Sequence, residues 1–315
     1  MAEWRNGGGG RTAGVDYDGD RRSDLALYRR DAQSGSSWWV KSVTGAQLFA
    51  DHKYGGSTDI PVPGDYDGDG RADLALFRRD CTNGSSWWVK LATGAQLFAD
   101  HRYGGCADIP VPGDYDADGR SDLALYRRDA QSGSSWWVKS ATGAQLFADH
   151  KYGGSTDIPV PGDYDGDGRA DLALFRRDCT NGSSWWVKLA TGAQLFADHR
   201  YGGCADIPVS GDYDGDGRAD LALFRRDCAN GSSWWVKSAT GAQLFADHKY
   251  GGCADIPVSG DYSGDGRADF ALFRRDCANG STWWVKDSAS GAQLFADHRY
   301  GGCADIPAAS NPATT

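Results

Sequence analysis

The stretch Asp65-Tyr66-Asp67-Gly68-Asp69-Gly70-Arg71-Ala72-Asp73 places carboxylates at positions 1, 3, 5 and 9 of a nine-residue segment. Related segments begin at Asp16, Asp114, Asp163, Asp212 and Asp261, so six copies follow one another at intervals of 49 residues. Ca²⁺ takes roughly six to eight hard oxygen ligands from carboxylates, carbonyls and water in a flexible cage. Alternating carboxylates followed by glycine would wrap the chain about one centre, and the position-7 carbonyl could complete the shell. Gly70 stands where a positive φ is expected. Without a cation, four carboxylates this close repel one another. The candidate ligands are Asp16, Asp18, Asp20 and Asp24; Asp65, Asp67, Asp69 and Asp73; Asp114, Asp116, Asp118 and Asp122; Asp163, Asp165, Asp167 and Asp171; Asp212, Asp214, Asp216 and Asp220; and Asp261, Ser263, Asp265 and Asp269. A solvated acidic turn is the alternative, but six copies argue for up to six structural Ca²⁺ ions, each with its shell filled by the loop's own carboxylates. Arg21 replaces glycine in the first copy and should strain the turn, while Ser263 removes a carboxylate from the sixth. These two sites are expected to be the weakest.

An EF-hand needs flanking helices and a Glu at loop position 12. Here position 12 is Leu76, within Leu74-Ala75-Leu76-Phe77, and a strand is expected to follow. A typical unit runs from Asp59-Ile60-Pro61-Val62-Pro63-Gly64 through the loop to Leu74–Arg79. It continues through Ser85-Ser86-Trp87-Trp88-Val89-Lys90 to Ala95–Tyr103 and closes on Gly104-Gly105. Gly-, Asn- and Thr-rich turns separate these four short strands. Four strands per 49-residue unit, six times over, predict an all-β, six-bladed propeller; a sandwich or open solenoid is the structural alternative. Pro61 and Pro63 suit an innermost strand that pairs on one side only. Residues 1–10 read as a flexible leader, 11–309 as one propeller domain and 310–315 as a loose tail. Asp305-Ile306-Pro307-Ala308-Ala309 is a surplus copy of the first strand, expected near Arg11–Val15 to close the ring.

Composition agrees with strands and turns. Glu occurs once, while 44 Gly and 13 Trp are present. The formal charge is −10, and the loop aspartates are more than half of the 43 acidic residues. Six Ca²⁺ ions would bring the charge to about +2, so the acidity argues for metal more than for a cationic partner. No basic stripe dominates, which argues against nucleic acid. No apolar run approaches the roughly 18 residues of a membrane span. The start Met1-Ala2-Glu3-Trp4-Arg5-Asn6 lacks the apolar segment of a secretory signal.

The run Gly-Asp-Tyr-Asp-Gly-Asp-Gly-Arg-Ala-Asp-Leu-Ala-Leu-Phe-Arg resembles the FG-GAP (VCBS) repeat, also found in integrin α-subunit propellers, over about residues 11–309. The Trp strand and the Asp-Ile-Pro-Val-Pro segment resemble secreted bacterial members. The resemblance implies a propeller with calcium between the first two strands of each blade. Family propellers often have seven blades, whereas this chain supplies six units. Such propellers serve as adhesion domains, as accessory modules of secreted hydrolases and as lectins. Those of the Psathyrella velutina type bind N-acetylglucosamine between blades.

The eight cysteines fall as Cys81 with Cys106, Cys179 with Cys204, Cys228 with Cys253 and Cys277 with Cys303. Units 1 and 3 lack both members together, having Ala32 with Ser57 and Ala130 with Ser155. Joint presence and absence suggest one disulfide in each of four blades, although shared descent of duplicated units would give the same pattern. Each would contribute roughly 3–4 kcal/mol in the chain-entropy view. Cys-x-x-Cys spacing is missing, which argues against zinc. An oxidising, extracellular setting is therefore expected.

Alternation along each Trp strand puts Trp87 with Val89 on one face and Trp88 with Ser86 and Lys90 on the other. The first Trp is expected between blades. The second, at Trp39, Trp88, Trp137, Trp186, Trp235 and Trp284, is a candidate platform for the apolar face of a sugar, or a second inter-blade filler. His52, His101, His150, His199, His248 and His298 recur once per unit as sugar contacts or structural residues. Every unit carries the same residues and no nucleophile motif is visible. An enzyme needs one asymmetric site, whereas a multivalent binder gains avidity from copies of a weak one. The expected function is a calcium-stabilised lectin. A protein-binding adhesion or scaffold module, or an accessory module of a secreted enzyme, is the alternative.

Overall fold

The computed structural model describes residues 15–311 and 313. The leader 1–10 and residues 11–14 lie outside the described residues. Blade 1 contributes β1 (Leu25–Arg29), β2 (Ser37–Lys41) and β3 (Gln47–Lys53). Blade 2 runs β4 (Ile60–Pro61), β5 (Leu74–Arg78), β6 (Ser86–Lys90) and β7 (Gln96–Arg102), hydrogen-bonded in that order and antiparallel. Blades 3 to 6 repeat the pattern, giving six four-stranded sheets and an all-β six-bladed propeller. No helix among the described residues is long and apolar enough to cross a membrane.

The run Leu74-Ala75-Leu76-Phe77 is buried throughout because both faces of a blade pack against neighbours. Ala75 and Phe77 join Trp87 and Val89 and meet Leu123 and Leu125 of blade 3, while Leu74 and Leu76 face Tyr28 and Trp38 of blade 1. Phe77 lies opposite Trp87 in the ladder, with ring centroids 5.4 Å apart. A strand buried on both faces reads as continuously apolar. Pro61 has no N–H, and its short strand pairs with β5 alone. At the rim, the outermost strands bulge at Asp51, Asp100, Asp149, Asp198, Asp247 and Asp297, all in the left-handed region. Such bulges discourage edge-to-edge pairing.

Closure is made by the last strand, Asp305–Pro307. It pairs with β1 through Leu27 with Pro307, Tyr28 with Ile306 and Arg29 with Asp305, becoming the innermost strand of blade 1. Of the expected neighbour Arg11–Val15, residues 11–14 lie outside the described residues and Val15 shares a core cluster with Ala308; the ladder partner is β1, whose inner edge is the one left open by the blade pattern. Arg29 grips Asp305 through Nε at 2.9 Å and Nη2 at 2.8 Å, as Arg78 grips Asp59 at 3.0 and 2.8 Å. Of the tail expected to be loose, the described residues Ser310, Asn311 and Ala313 make contacts. Ser310 is buried, Asn311 Nδ2 donates to the Pro159 carbonyl at 2.9 Å, and Ala313 packs on the cores of blades 3 and 4. The segment crosses a central cavity of about 810 Å³ lined by Pro61, Val62 and their equivalents.

Three predicted disulfides are present: Cys81–Cys106, Cys179–Cys204 and Cys228–Cys253. The fourth expectation is corrected. Cys277 and Cys303 are free thiols, with Cys277 hydrogen-bonded to Cys303 and its pKa raised first by that contact. Blade 6 alone carries an additional residue between its two cysteines, in the hairpin turn after Lys286.

Asp305 is 1% exposed and its partner Arg29 is 39% exposed. Asp305→Asn should cost about 2–3 kcal/mol, below the usual loss for a fully buried pair because the guanidinium keeps some water. Asp51→Asn, which removes a carboxylate 52% exposed, should leave the unfolding midpoint nearly unchanged, because solvent screens an exposed pair. Urea unfolding of both variants checks this, and equal midpoints would show that the closing pair contributes nothing.

Candidate metal centres and the seams between blades

Each acidic loop is wound by its own side chains. Asp65 Oδ1 accepts from the amides of Gly68 at 2.7 Å and Asp69 at 3.2 Å, and its Oδ2 accepts from Gly70 at 2.8 Å. Asp73 Oδ2 accepts from the Tyr66 amide at 2.9 Å, and its Oδ1 from Ala92, in the turn between β6 and β7, at 2.9 Å. The winding needs φ of 79° at Gly68 and 86° at Gly70. Arg21 takes this conformation at 71°, as the sequence suggested; Ala117 takes it at 63°, and its substitution for glycine in Asp116-Ala117-Asp118 had passed unnoticed.

Positions 1, 3 and 9 converge. In each of the first five loops one carboxylate oxygen from each of three aspartates lies within 4.8 Å of the others: Asp16, Asp18 and Asp24; Asp65, Asp67 and Asp73; Asp114, Asp116 and Asp122; Asp163, Asp165 and Asp171; Asp212, Asp214 and Asp220. Position 5 is not in these sets. Asp20, Asp69, Asp118, Asp167, Asp216 and Asp265 each accept from the amide two residues on, at 2.8–3.0 Å. In the sixth loop Ser263 Oγ donates to Asp261 Oδ1 at 3.3 Å, and Asp261 and Asp269 have no third carboxylate.

Burial weighs on these groups. Desolvation, reinforced by the neighbouring carboxylates, pushes Asp24 and Asp220 up to about 8, Asp73, Asp122, Asp171 and Asp269 to about 7, and Asp114 to about 6. Asp24 Oδ1 is buried without a hydrogen-bond partner. Convergent, desolvated, mutually repelling oxygens fit a hard divalent cation, which would neutralise them.

The loops are joined in a ring. The position-8 amide of each loop donates to the position-1 carbonyl of the preceding one: Ala72 to Asp16, Ser121 to Asp65, Ala170 to Asp114, Ala219 to Asp163, Ala268 to Asp212 and, across the closure, Ser23 to Asp261, all at 2.5–2.6 Å.

The second Trp of each pair lies in a seam. Trp88 packs on the blade 1 core, its Nε1 donates to Ser86 Oγ at 3.1 Å, and the Arg78 guanidinium carbon sits 4.6 Å from its ring centroid. Trp39, Trp137, Trp186, Trp235 and Trp284 are covered likewise by Arg29, Arg127, Arg176, Arg225 and Arg274, at 4.6–4.8 Å. The histidine comes from the opposite wall. Lys90 Nζ donates to His52 Nε2 at 3.2 Å across the seam and lies 5.9 Å from the Tyr54 ring centroid, while Gln96 Nε2 donates to Tyr54 Oη at 3.0 Å. His150 and His298 meet Lys188 and Lys41 in the same way; the Nε2 atoms of His101, His199 and His248 are buried without partners. All six imidazoles have pKa values lowered by burial and then by the facing lysine. Each ring leans on a Phe, as His101 does on Phe98 at 5.2 Å. The fold thus brings the predicted Trp and His into one seam. The lysine, tyrosine and glutamine beside them were missed, although Lys90 shares the face of Trp88 by strand alternation.

Residues 114–174 and 163–223 match the family model described as the FG-GAP-like repeat. No curated protein matches the sequence. Among solved structures, the chain is similar to an Agrocybe aegerita lectin whose structure describes specific recognition of non-reducing terminal N-acetylglucosamine. The identity is 16%, the TM-score 0.52, and the match covers 87% of this chain and 75% of that one. It is also similar to TolB from Acinetobacter baumannii (10% identity, TM-score 0.47, covering 86% and 62%) and to the rhamnogalacturonan lyase YesW (16%, 0.41, covering 89% and 66%). The chain therefore spans less than two thirds of the length of TolB and YesW. At these identities the likeness is one of fold.

The raised carboxyls set the sign of a pH effect. With native pKa values of about 7–8 against an ordinary 3.8, the folded protein holds protons that the unfolded chain has released. Their stabilising share is complete below about pH 4 and is lost as pH rises through 7 to 8. Thermal melts in chelator should give a lower Tm at pH 8 than at pH 5. An equal or higher Tm at pH 8 would show that these carboxyls titrate normally.

Proposed function

We propose that this β-propeller of FG-GAP-like repeats is a calcium-stabilised, multivalent carbohydrate-binding protein of an oxidising, extracellular setting, and not an enzyme. The observation that carries the reading is the sixfold repetition of one aromatic and polar seam: Trp88 with its Arg78 cover, facing His52 and Tyr54, and the same residue types around the ring. A single catalytic site would call for asymmetry, whereas copies of a weak site suit avidity. The lectin of similar fold supports the same class of ligand. Sugars offer an apolar C–H face to the electron-rich face of an aromatic ring and hydroxyls to His and Arg. The disulfides support the oxidising setting.

The five three-aspartate sets would hold Ca²⁺, supplying charge neutralisation in the loops. Their hard oxygens on a flexible loop suit Ca²⁺ better than Mg²⁺, which demands a rigid octahedron. The cation's role is to support the scaffold, since the first aspartate of each loop lines the central cavity, whose lining includes none of the seam Trp residues.

A protein ligand is the second reading. It is favoured by the outermost strands, where Leu97, Leu195 and Leu294 are each 37% exposed. A saturable protein ligand that no sugar displaces would establish it.

Two measurements test the proposal. Calorimetric titration of chelator-stripped protein should give about five equivalents of Ca²⁺, with Asp73→Asn removing one, and Ca²⁺ should raise the Tm at pH 8. Absence of both heat and Tm change would remove calcium from the account. A glycan array with Ca²⁺ should show binding to a defined sugar, lost in chelator only when the melt collapses. A folded, calcium-loaded protein that binds no glycan would overturn the lectin reading.

A further inference from the structure

Six lysines stand in the seams without an acidic partner. Lys41, Lys90, Lys139, Lys188, Lys237 and Lys286 make no ion pair among the described residues, whereas Lys53, Lys151 and Lys249 on the outermost strands pair with Asp51, Asp149 and Asp247 at 3.0 Å. The rings against each seam lysine are uncharged. Lys90 faces the His52 ring at 3.2 Å and the Tyr54 ring at 5.9 Å, and each of the other five lies 5.5–6.0 Å from the corresponding tyrosine ring. The other charges nearby, Arg78 and Asp59, cancel in a bidentate pair. Each ammonium is on a partly buried residue beside an aromatic ring and has no ion pair among the described residues. Partial desolvation of an unpaired cation is costly unless an anion arrives to pair with it.

Resting on the carbohydrate-binding reading above, we propose that the seams select acidic glycans, with the carboxylate or sulfate of one sugar residue meeting the Lys90-type ammonium while its ring lies against Tyr54 and Trp88. A carboxylate or sulfate gives the ammonium a charge-assisted hydrogen bond, stronger than one to a hydroxyl. The facing histidine, held neutral, contributes a hydrogen bond without competing for the anion. Six such sites around one ring match a repeating polyanionic chain better than an isolated acidic sugar. Nucleic acid also carries repeating anions, but each seam lysine stands beside neutral rings, one per blade, and no continuous basic stripe is present to follow a phosphate backbone. The sites therefore favour an anion presented on a sugar that fits the seam over a general polyanion.

The test uses the full calcium-loaded chain and an array of matched glycan pairs, each a neutral oligosaccharide beside its carboxylated and sulfated counterparts. Single-stranded DNA of equal charge is included. The acidic members should bind at least about tenfold tighter than the neutral ones. That advantage should shrink several-fold in high salt, and DNA should bind more weakly than the acidic glycans. Replacing all six lysines (K41Q, K90Q, K139Q, K188Q, K237Q and K286Q) should narrow each pair to about twofold, and the corresponding Lys→Arg set should restore most of the gap. If the glutamine set fails to fold, the pairwise and salt comparisons on the unaltered protein decide the matter alone. Equal binding of neutral and acidic members overturns the proposal and leaves the lectin reading standing. DNA binding as tight as the acidic glycans overturns it in favour of unspecific attraction. Binding to no glycan overturns both readings.

Discussion

Closure of the ring is the constraint on which this structure depends. Each blade buries both faces against neighbours, so a missing seam would expose Phe77- and Trp87-type side chains on one side and Leu74- and Leu76-type on the other. An open solenoid could cap such ends with polar repeats, but these near-identical units carry no such caps. The last strand therefore has to return to β1. Two further links hold the closure: the Arg29–Asp305 pair within blade 1, and the Ser23 amide donating to Asp261 between the loops of blades 1 and 6. The first repeats the pair found inside every other blade, and the second repeats the bond found between every other pair of neighbouring loops.

The Asp59–Arg78–Trp88 chain is the repeated unit of that joint. Asp59 is buried and would be costly as a lone charge, but a planar guanidinium matches it bidentately while its face lies on the indole. The bond from Gly56 N to Asp59 Oδ2, at 2.8 Å, ties the turn leaving blade 1 into the same knot. One arginine thus joins the inner strand, the middle strand and the inter-blade turn. The guanidinium covers one face of Trp88 and the ring packs on the blade 1 core, so only part of the indole is open to a ligand in the seam. Recognition then falls to the side chains further out, Tyr54, His52 and Lys90.

Much of this was legible in the sequence for definite reasons. The interval of 49 residues, the Leu-Ala-Leu-Phe run and the Pro-bearing first strand each report a local preference and together leave little freedom about the fold. The loop glycines report a backbone requirement, which the structure meets at Gly68 and Gly70. What stayed hidden depends on contacts between units. Nothing local distinguishes Asp69, which turns to its own backbone, from Asp67, which joins the cluster. The pairing of His52 with Lys90 crosses 38 positions and two blades. The tail reaches Pro159 over 152 positions, far from any repeat pattern. Cys277 and Cys303 have the sequence pattern of a disulfide yet stand as thiols, because spacing does not fix the final approach of two sulfur atoms.

The acidic loops and the seams are not independent parts. Asp73 belongs to the carboxylate set, and its Oδ1 also holds the Ala92 amide in the turn between β6 and β7. Four residues on, Gln96 donates to Tyr54 of the preceding blade. Equivalent bonds from Ala141, Ala190, Ala239 and Ser288 tie four further loops to their hairpins. Blade 1 departs from the pattern, with Asp24 Oδ1 unpaired. A cation drawn to the carboxylates would fix the loop and, through one side chain, the hairpin that carries the outer wall of the seam. Support for the fold and shaping of the ligand surface would then follow from one binding event, without any metal–ligand contact.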